Sequence, residues 1–171
     1  MELNVAFTGY RPEKLPFVES ETDPVYRAFR DANRGLVKHL IDLGCVNFFS
    51  GVAKGFDLWA AEDVLLWRQA YQHIRLTCAV PFPEQAASWS PAEVERYARI
   101  LTAADEVVTV CPRYQKGCYY ERNRYMVDRS DVLVAAFDGK PGGTAYTVDY
   151  ARSQGLVILQ INPATAEIVR L

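Results

Sequence analysis

Six short apolar runs recur along the chain at fairly even spacing: Leu3–Thr8, Val46–Ser50, Arg75–Val80, Glu106–Val110, Val132–Phe137 and Leu156–Ile161. Each has the length of a buried strand. The segments between them carry a helical period. Tyr26, Phe29, Asn33, Leu36, Val37 and Leu40 step by three and four, as do Ala60, Val64, Trp67 and Tyr71, which predicts amphipathic helices facing a sheet. Ser90 before Pro91 is a helix start signal for Pro91–Ala103. Further helices are expected over Tyr119–Arg129 and Gly143–Ser153, the second closed by Gly155 in the position of a left-handed residue. Strand-to-strand connections that each hold a helix are βαβ crossovers, which force parallel, right-handed pairing. The expected fold is therefore α/β: a doubly wound, mostly parallel sheet of about six strands with helices on both faces. At 171 residues the chain is expected to form one domain over its whole length. Gly9–Asp23, with two prolines and three glutamates, is a long irregular connection and a candidate rim for a site.

Composition excludes several classes of function. The formal charge is −2, which argues against a whole-surface nucleic-acid binder or an anionic-membrane binder. No run of apolar residues is long enough to span a bilayer, and Met1-Glu2-Leu3-Asn4 has no leader character. The expectation is a cytoplasmic protein with no membrane partner. Cys45, Cys78, Cys111 and Cys118 form no C-x-x-C pair and lack histidine at zinc spacing. They read as buried thiols, His39 and His73 read as surface histidines, and no metal site is expected.

The residues with chemistry fall after the strands, where open parallel sheets bind ligands. Gly9-Tyr10-Arg11-Pro12 follows the first strand, Gly51-Val52-Ala53-Lys54-Gly55 the second and Pro81-Phe82-Pro83-Glu84 the third. Cys111-Pro112-Arg113-Tyr114 follows the fourth, and Asp138 to Thr144, holding Gly139, Gly142 and Gly143, the fifth. Two glycine loops that each open a helix point to phosphate binding, because backbone N–H groups and the helix dipole favour an anion there. Arg11 and Arg113 are expected to converge on the same rim. Neither loop has dinucleotide-fold or P-loop spacing, and no nucleophile elbow is present. Asp57 reads either as a first-turn carboxylate that satisfies free N–H groups or as a partner for a ribose hydroxyl or base edge. Glu62, on the same helix, reads as structural. Arg113–Arg129 holds five Lys and Arg against two acids, interleaved with Tyr114, Tyr119, Tyr120 and Tyr125. It reads as an anion clamp led by Arg122 and Asn123, or as a solvated helix face.

In four blocks the chain resembles the SLOG superfamily, the Rossmann-like group that includes the LOG phosphoribohydrolases and the DprA/Smf proteins. Within it the YpsA-like group is the nearest match. The blocks are Phe7 to Leu15, Ser50 to Glu62, Pro81 to Gln85 with Trp89, and Glu121 to Asp131 leading to Gly142-Gly143-Thr144. The resemblance implies glycine loops that hold a nucleotide or nucleotide-derived ligand. In LOG-type enzymes an Arg and the Glu of P-G-G-x-G-T-x-x-E act in N-glycosidic cleavage. Arg122 matches that Arg, but no Glu follows Thr144 on the same turn and Asp149 is the nearest carboxylate. A carboxylate displaced by a turn moves about 5 Å, far more than glycosidic chemistry tolerates.

The leading expectation is a binding protein for a nucleotide-type small molecule, acting as a sensor or regulatory module, with no certain cofactor. Gly9, Gly51, Gly55, Gly142, Gly143 and Thr144 would form the phosphate-side loops. Arg11, Arg122 and Asn123 would meet the anion, and Asp57 the sugar or base. The alternative is a nucleoside 5′-monophosphate phosphoribohydrolase using Arg122 with Asp57, Glu62 or Asp149. Single-stranded nucleic-acid binding ranks last on charge. The resemblance also raises a homodimer, through the aromatics of Trp67–Tyr71 or the Trp89 loop.

Overall fold

The computed structural model describes all 171 residues. The chain order is β1 (Leu3–Gly9), α1 (Pro24–Asp42), β2 (Cys45–Ser50), α2 (Phe56–Arg68), β3 (Arg75–Val80), α3 (Pro91–Ala103) and β4 (Glu106–Thr109), followed by α4 (Cys118–Val127), β5 (Val132–Ala136), α5 (Gly143–Ser153), β6 (Val157–Ile161) and β7 (Ile168–Arg170). The strands form one sheet in the order β4-β3-β2-β1-β5-β6-β7. Every pairing is parallel except β6 with β7.

Alternation along each strand feeds two cores, because successive side chains leave opposite faces of a sheet. Val5, Phe7, Phe48, Leu76, Cys78, Val132 and Val134 face one way, into the larger core beneath α1, α2 and α3. Ala6, Phe49, Ala79, Leu133 and Ala135 face the other way, toward α4 and α5. The alanines on that second face let α4 settle close to the sheet.

Helix starts follow local chemistry. The Asp23 carboxylate accepts from the N–H groups of Val25 and Tyr26 at the start of α1, and Ser90 and Glu93 form a reciprocal capping box at α3. By contrast α2, α4 and α5 open on Gly55, Gly117 and Gly142, none of which supplies a side-chain cap. The Gly9–Asp23 connection is pinned at Phe17, whose ring packs on Tyr26, Phe29 and Trp59. Between that anchor and β1 a short 3₁₀ turn, Pro12–Lys14, holds the chain over the sheet edge.

The α/β, mostly parallel architecture matches the expectation, with one added strand. β7 was not expected: it is three exposed residues folded back antiparallel on β6, too short for an apolar pattern to mark it. α4 ends at Val127, two residues before Arg129. β4 lies at the edge of the sheet and is largely exposed, although its apolar run predicted a buried strand. Trp67 is tied to its own chain, its indole N–H donating to the Arg34 carbonyl at 2.9 Å. No helix is long and apolar enough to cross a membrane.

Candidate functional site

The first four strands step outward from β1 in one direction, and β5 and β6 step outward in the other. The chain therefore reverses between β1 and β5, and the crevice beyond such a switch point is where ligands bind in this architecture. A cavity of about 300 Å³ opens there. Its walls come from the end of β1 and the 3₁₀ turn (Gly9, Arg11, Lys14), the start of α2 (Ala53, Asp57), one face of α4 (Tyr119, Arg122, Asn123) and the start of α5 (Gly143, Thr144).

Arg122 is buried. Its Nη1 donates to the Gly51 carbonyl at 2.6 Å and its Nε to Asn123 Oδ1 at 2.8 Å. Asn123 is held in turn by Thr147, through Nδ2 to Oγ1 at 3.0 Å. Small residues make this reach possible: a Cβ at Gly51 would fall 2.4 Å from the guanidinium. Nη2 makes no hydrogen bond within the protein. Burial lowers the Arg122 pKa, partly offset by the charge of Asp57.

Asp57 is the second buried charge of the cavity. Burial raises its pKa to about 6, against the opposing pull of Arg122, the Ala53 amide and Arg11. Its Oδ1 has no hydrogen-bond partner. A buried acceptor without a donor is costly, and a carboxyl with a shifted pKa in a cleft is a functional-site signature.

The start of α5 supplies donors. Gly142 takes φ 154° and ψ −166°, a conformation confined to glycine. The first intrahelical bond runs from Tyr146 N to Gly142 O, so the N–H groups of Gly143, Thr144 and Ala145 have no backbone acceptor. Lys14 reaches over this end: its Nζ lies 2.9 Å from where a Cβ of Gly142 would stand. Tyr10 braces the same loop, its hydroxyl donating to Asp138 in a short hydrogen bond. Burial, with that contact, pushes the Tyr10 hydroxyl up to about 12, and the same hydrogen bond holds Asp138 near 2.

The residues singled out in the sequence divide accordingly. Gly9, Arg11, Asp57, Arg122, Asn123, Gly143 and Thr144 line the cavity. Gly51 and Gly55 stand behind its wall: the Arg122 guanidinium covers Gly51, and a Cβ at Gly55 would lie 2.7 Å from the Tyr10 carbonyl. These two glycines serve close chain packing, and the amides of Phe56 and Leu58 are satisfied by Tyr10 and Ala53 carbonyls. Gly142 caps α5 with its open side against Lys14, and it lines a separate groove rather than the cavity itself. Asp149 opens on that groove too, exposed and paired with Arg152 at 2.9 Å. Glu62 pairs with Arg96 away from the cavity. Arg113 is exposed and lines no part of it, so the expected convergence with Arg11 is not found. Sequence reasoning missed Lys14, Glu13, Tyr119 and Tyr120 as lining residues. Lys14 lay inside a family block, and the tyrosines lay inside the basic segment.

The family model for the YspA SLOG family matches residues 5–160. A UPF0398 protein of Halalkalibacterium halodurans is 32% identical over 154 residues, covering 88% of this chain and 80% of its own length. A UPF0398 protein of Bacillus cereus is 30% identical over 154 residues, covering 88% and 83%. Two solved structures share the fold. DNA processing protein A from Helicobacter pylori, described for its single-stranded DNA binding mode, is similar at TM-score 0.62 and 19% identity over 94% of this chain. DNA processing protein A from Streptococcus pneumoniae is similar at TM-score 0.63 and 17% identity, also over 94%. This chain spans 65% and 50% of those two proteins.

Proposed function

We propose, from the premise that this chain belongs to the YspA SLOG family, that its switch-point cavity binds the sugar-phosphate portion of a nucleotide or nucleotide-derived molecule. The observation that carries the reading is the pairing of two unmet demands across one cavity. Uncapped amides at the start of α5 want an anion, and the partnerless Oδ1 of Asp57 wants a donor. A phosphate answers the first, aided by the helix dipole and Lys14. A ribose hydroxyl answers the second. Arg122 contributes its free Nη2 and fixed positive charge, and Arg11 closes the outer side.

A thermal-shift panel of ribose 5-phosphate, nucleoside mono- and diphosphates and inorganic phosphate tests this. A ligand at 100 times its dissociation constant adds about 2.7 kcal/mol. Chromatography of the same mixtures reads whether free base is released, the activity expected of a phosphoribohydrolase. A panel without any shift sinks the proposal.

A second reading has one observation in its favour. Beside the cavity mouth, Tyr120 packs on Tyr146 with ring centroids 4.5 Å apart, and Arg124 lies over Tyr146 and Tyr150. Stacked tyrosines next to a guanidinium suit single-stranded nucleic acid, and the fold is that of a protein described as binding single-stranded DNA. The charge of −2 opposes it. Oligothymidylate binding that weakens steeply with salt and is lost in Arg124→Ala with Tyr146→Ala would make it the better account.

A further inference from the structure

The wall of the cavity on the side of Arg11 is not backbone. It is a side-chain pair: the Arg11 guanidinium lies over the Tyr119 ring, 4.8 Å from its centroid. Arg11 is exposed and Tyr119 half-buried. Beyond them a second compartment of about 340 Å³ opens, sharing Arg11, Glu13, Ala53 and Tyr119 with the first. The two form one cleft with a waist at Arg11.

The compartments differ in chemistry. The first gathers Arg11, Lys14 and Arg122 against Glu13 and Asp57, beside the amides of α5. The second balances Arg11 and Lys54 against Glu13 and Glu93 and adds an indole and a buried amide. Lys54 is already answered by Glu93 at 3.4 Å, so no spare charge invites a second phosphate.

Trp89 is half-buried and its plane is fixed edge-on by Tyr97, 5.3 Å between centroids. The Lys54 ammonium lies over its ring, 5.5 Å from the centroid, and a lysine stem moves aside readily. Gln85 is 6% exposed. Its Nε2 faces the Gly51 carbonyl at 3.4 Å and the Tyr97 hydroxyl at 3.5 Å. A carbonyl only accepts, which orients the amide. Oε1 is then left buried with no donor.

We infer that this compartment is the base subsite: a planar nitrogenous ring stacks on Trp89 and presents an N–H to Gln85 Oε1, while Arg11 sits at the waist beside the sugar. The inference rests on the sugar-phosphate reading of the first compartment. It adds that the ligand is a nucleotide whose base bears a hydrogen-bond donor, such as an amino-substituted purine or cytosine, rather than a simple sugar phosphate.

Calorimetric titration of the full chain with AMP, GMP, CMP and ribose 5-phosphate tests it, in wild type, Trp89→Ala and Gln85→Leu. At least one nucleotide is expected to bind about tenfold or more tighter than ribose 5-phosphate. Both variants should lose about tenfold on that nucleotide, the scale of base–aromatic stacking or a lost buried hydrogen bond. Both should bind ribose 5-phosphate within about twofold of wild type, which also reports that they fold. Should Trp89→Ala fail to fold, Gln85→Leu decides alone. Equal binding of nucleotide and sugar phosphate, or equal losses on both, overturns the base subsite and leaves the first compartment standing. Binding of none of the four compounds overturns both.

Discussion

Arg122 donates through Nη1 to the carbonyl of Gly51 at 2.6 Å, joining the middle of α4 to the loop after β2 across the ends of the central strands. The same guanidinium stands by Asp57, whose charge favours its protonated form. It is a beam of the fold as well as a wall of the cavity. Arg122→Leu should therefore destabilise by about 3 kcal/mol, because the carbonyl and the carboxyl both stay buried without it. Urea denaturation reads this as a lower midpoint, and Arg122→Lys should recover little, since an ammonium cannot reach Gly51 and Asn123 together.

Two glycines separate packing from binding. A Cβ at Gly143 would meet nothing within 4 Å, whereas Gly55 combines φ +87° with a Tyr10 carbonyl 2.7 Å from where its Cβ would stand. Gly143→Ala should be neutral or stabilising by up to about 1 kcal/mol, yet weaken phosphate binding at least tenfold by crowding the α5 amides. Gly55→Ala should cost about 2 kcal/mol or more through the left-handed backbone and the clash. Thermal melts of the two variants with and without ribose 5-phosphate distinguish them.

Asp57 gives a pH signature. Its folded pKa, raised to about 6 by burial, exceeds the unfolded value of about 4. The folded state thus holds the extra proton between pH 4 and 6, and the stability this contributes, on the order of 2–3 kcal/mol, is present below pH 4 and lost as pH rises through 6. Asp57→Asn should remove that slope, so wild-type and variant melting curves converge at low pH and diverge above pH 6. Ribose binding to the ionised carboxylate should weaken in wild type as pH falls below 6.

Away from the cavity, Asp63 gathers Arg30 at 3.0 Å, Asn33 at 2.7 Å and Arg34 at 3.1 Å between α1 and α2. Asp63→Ala leaves the buried Arg30 unpaired and should cost about 3–5 kcal/mol. Ligand affinity of whatever remains folded should be unchanged, measured by calorimetry below the melting range.

The strands and crossovers were legible because burial on both faces of a parallel sheet writes continuous apolar runs, and capping writes Ser90-Pro91. β7 was not legible, since its pairing with β6 is backbone hydrogen bonding by exposed residues. In the site, Asp57, Arg122 and Gly143-Thr144 stood out by residue type and position. What the sequence could not distinguish is a glycine that admits a ligand from one that admits a neighbour. Gly51 and Gly143 look alike in a string of letters, and only the tertiary path of Arg122 covers one and leaves the other open. Lys14 and Tyr119 were hidden for the same reason, as their role depends on how Phe17 anchors the first connection and how α4 crosses the sheet.

The most direct measurement is a crystal structure of the protein soaked with AMP. The predicted result is the phosphate on the Gly143 and Thr144 amides near Lys14, with a ribose hydroxyl donating to Asp57 Oδ1. A nucleotide seated elsewhere, with that oxygen still without a donor and the α5 amides unengaged, would contradict it.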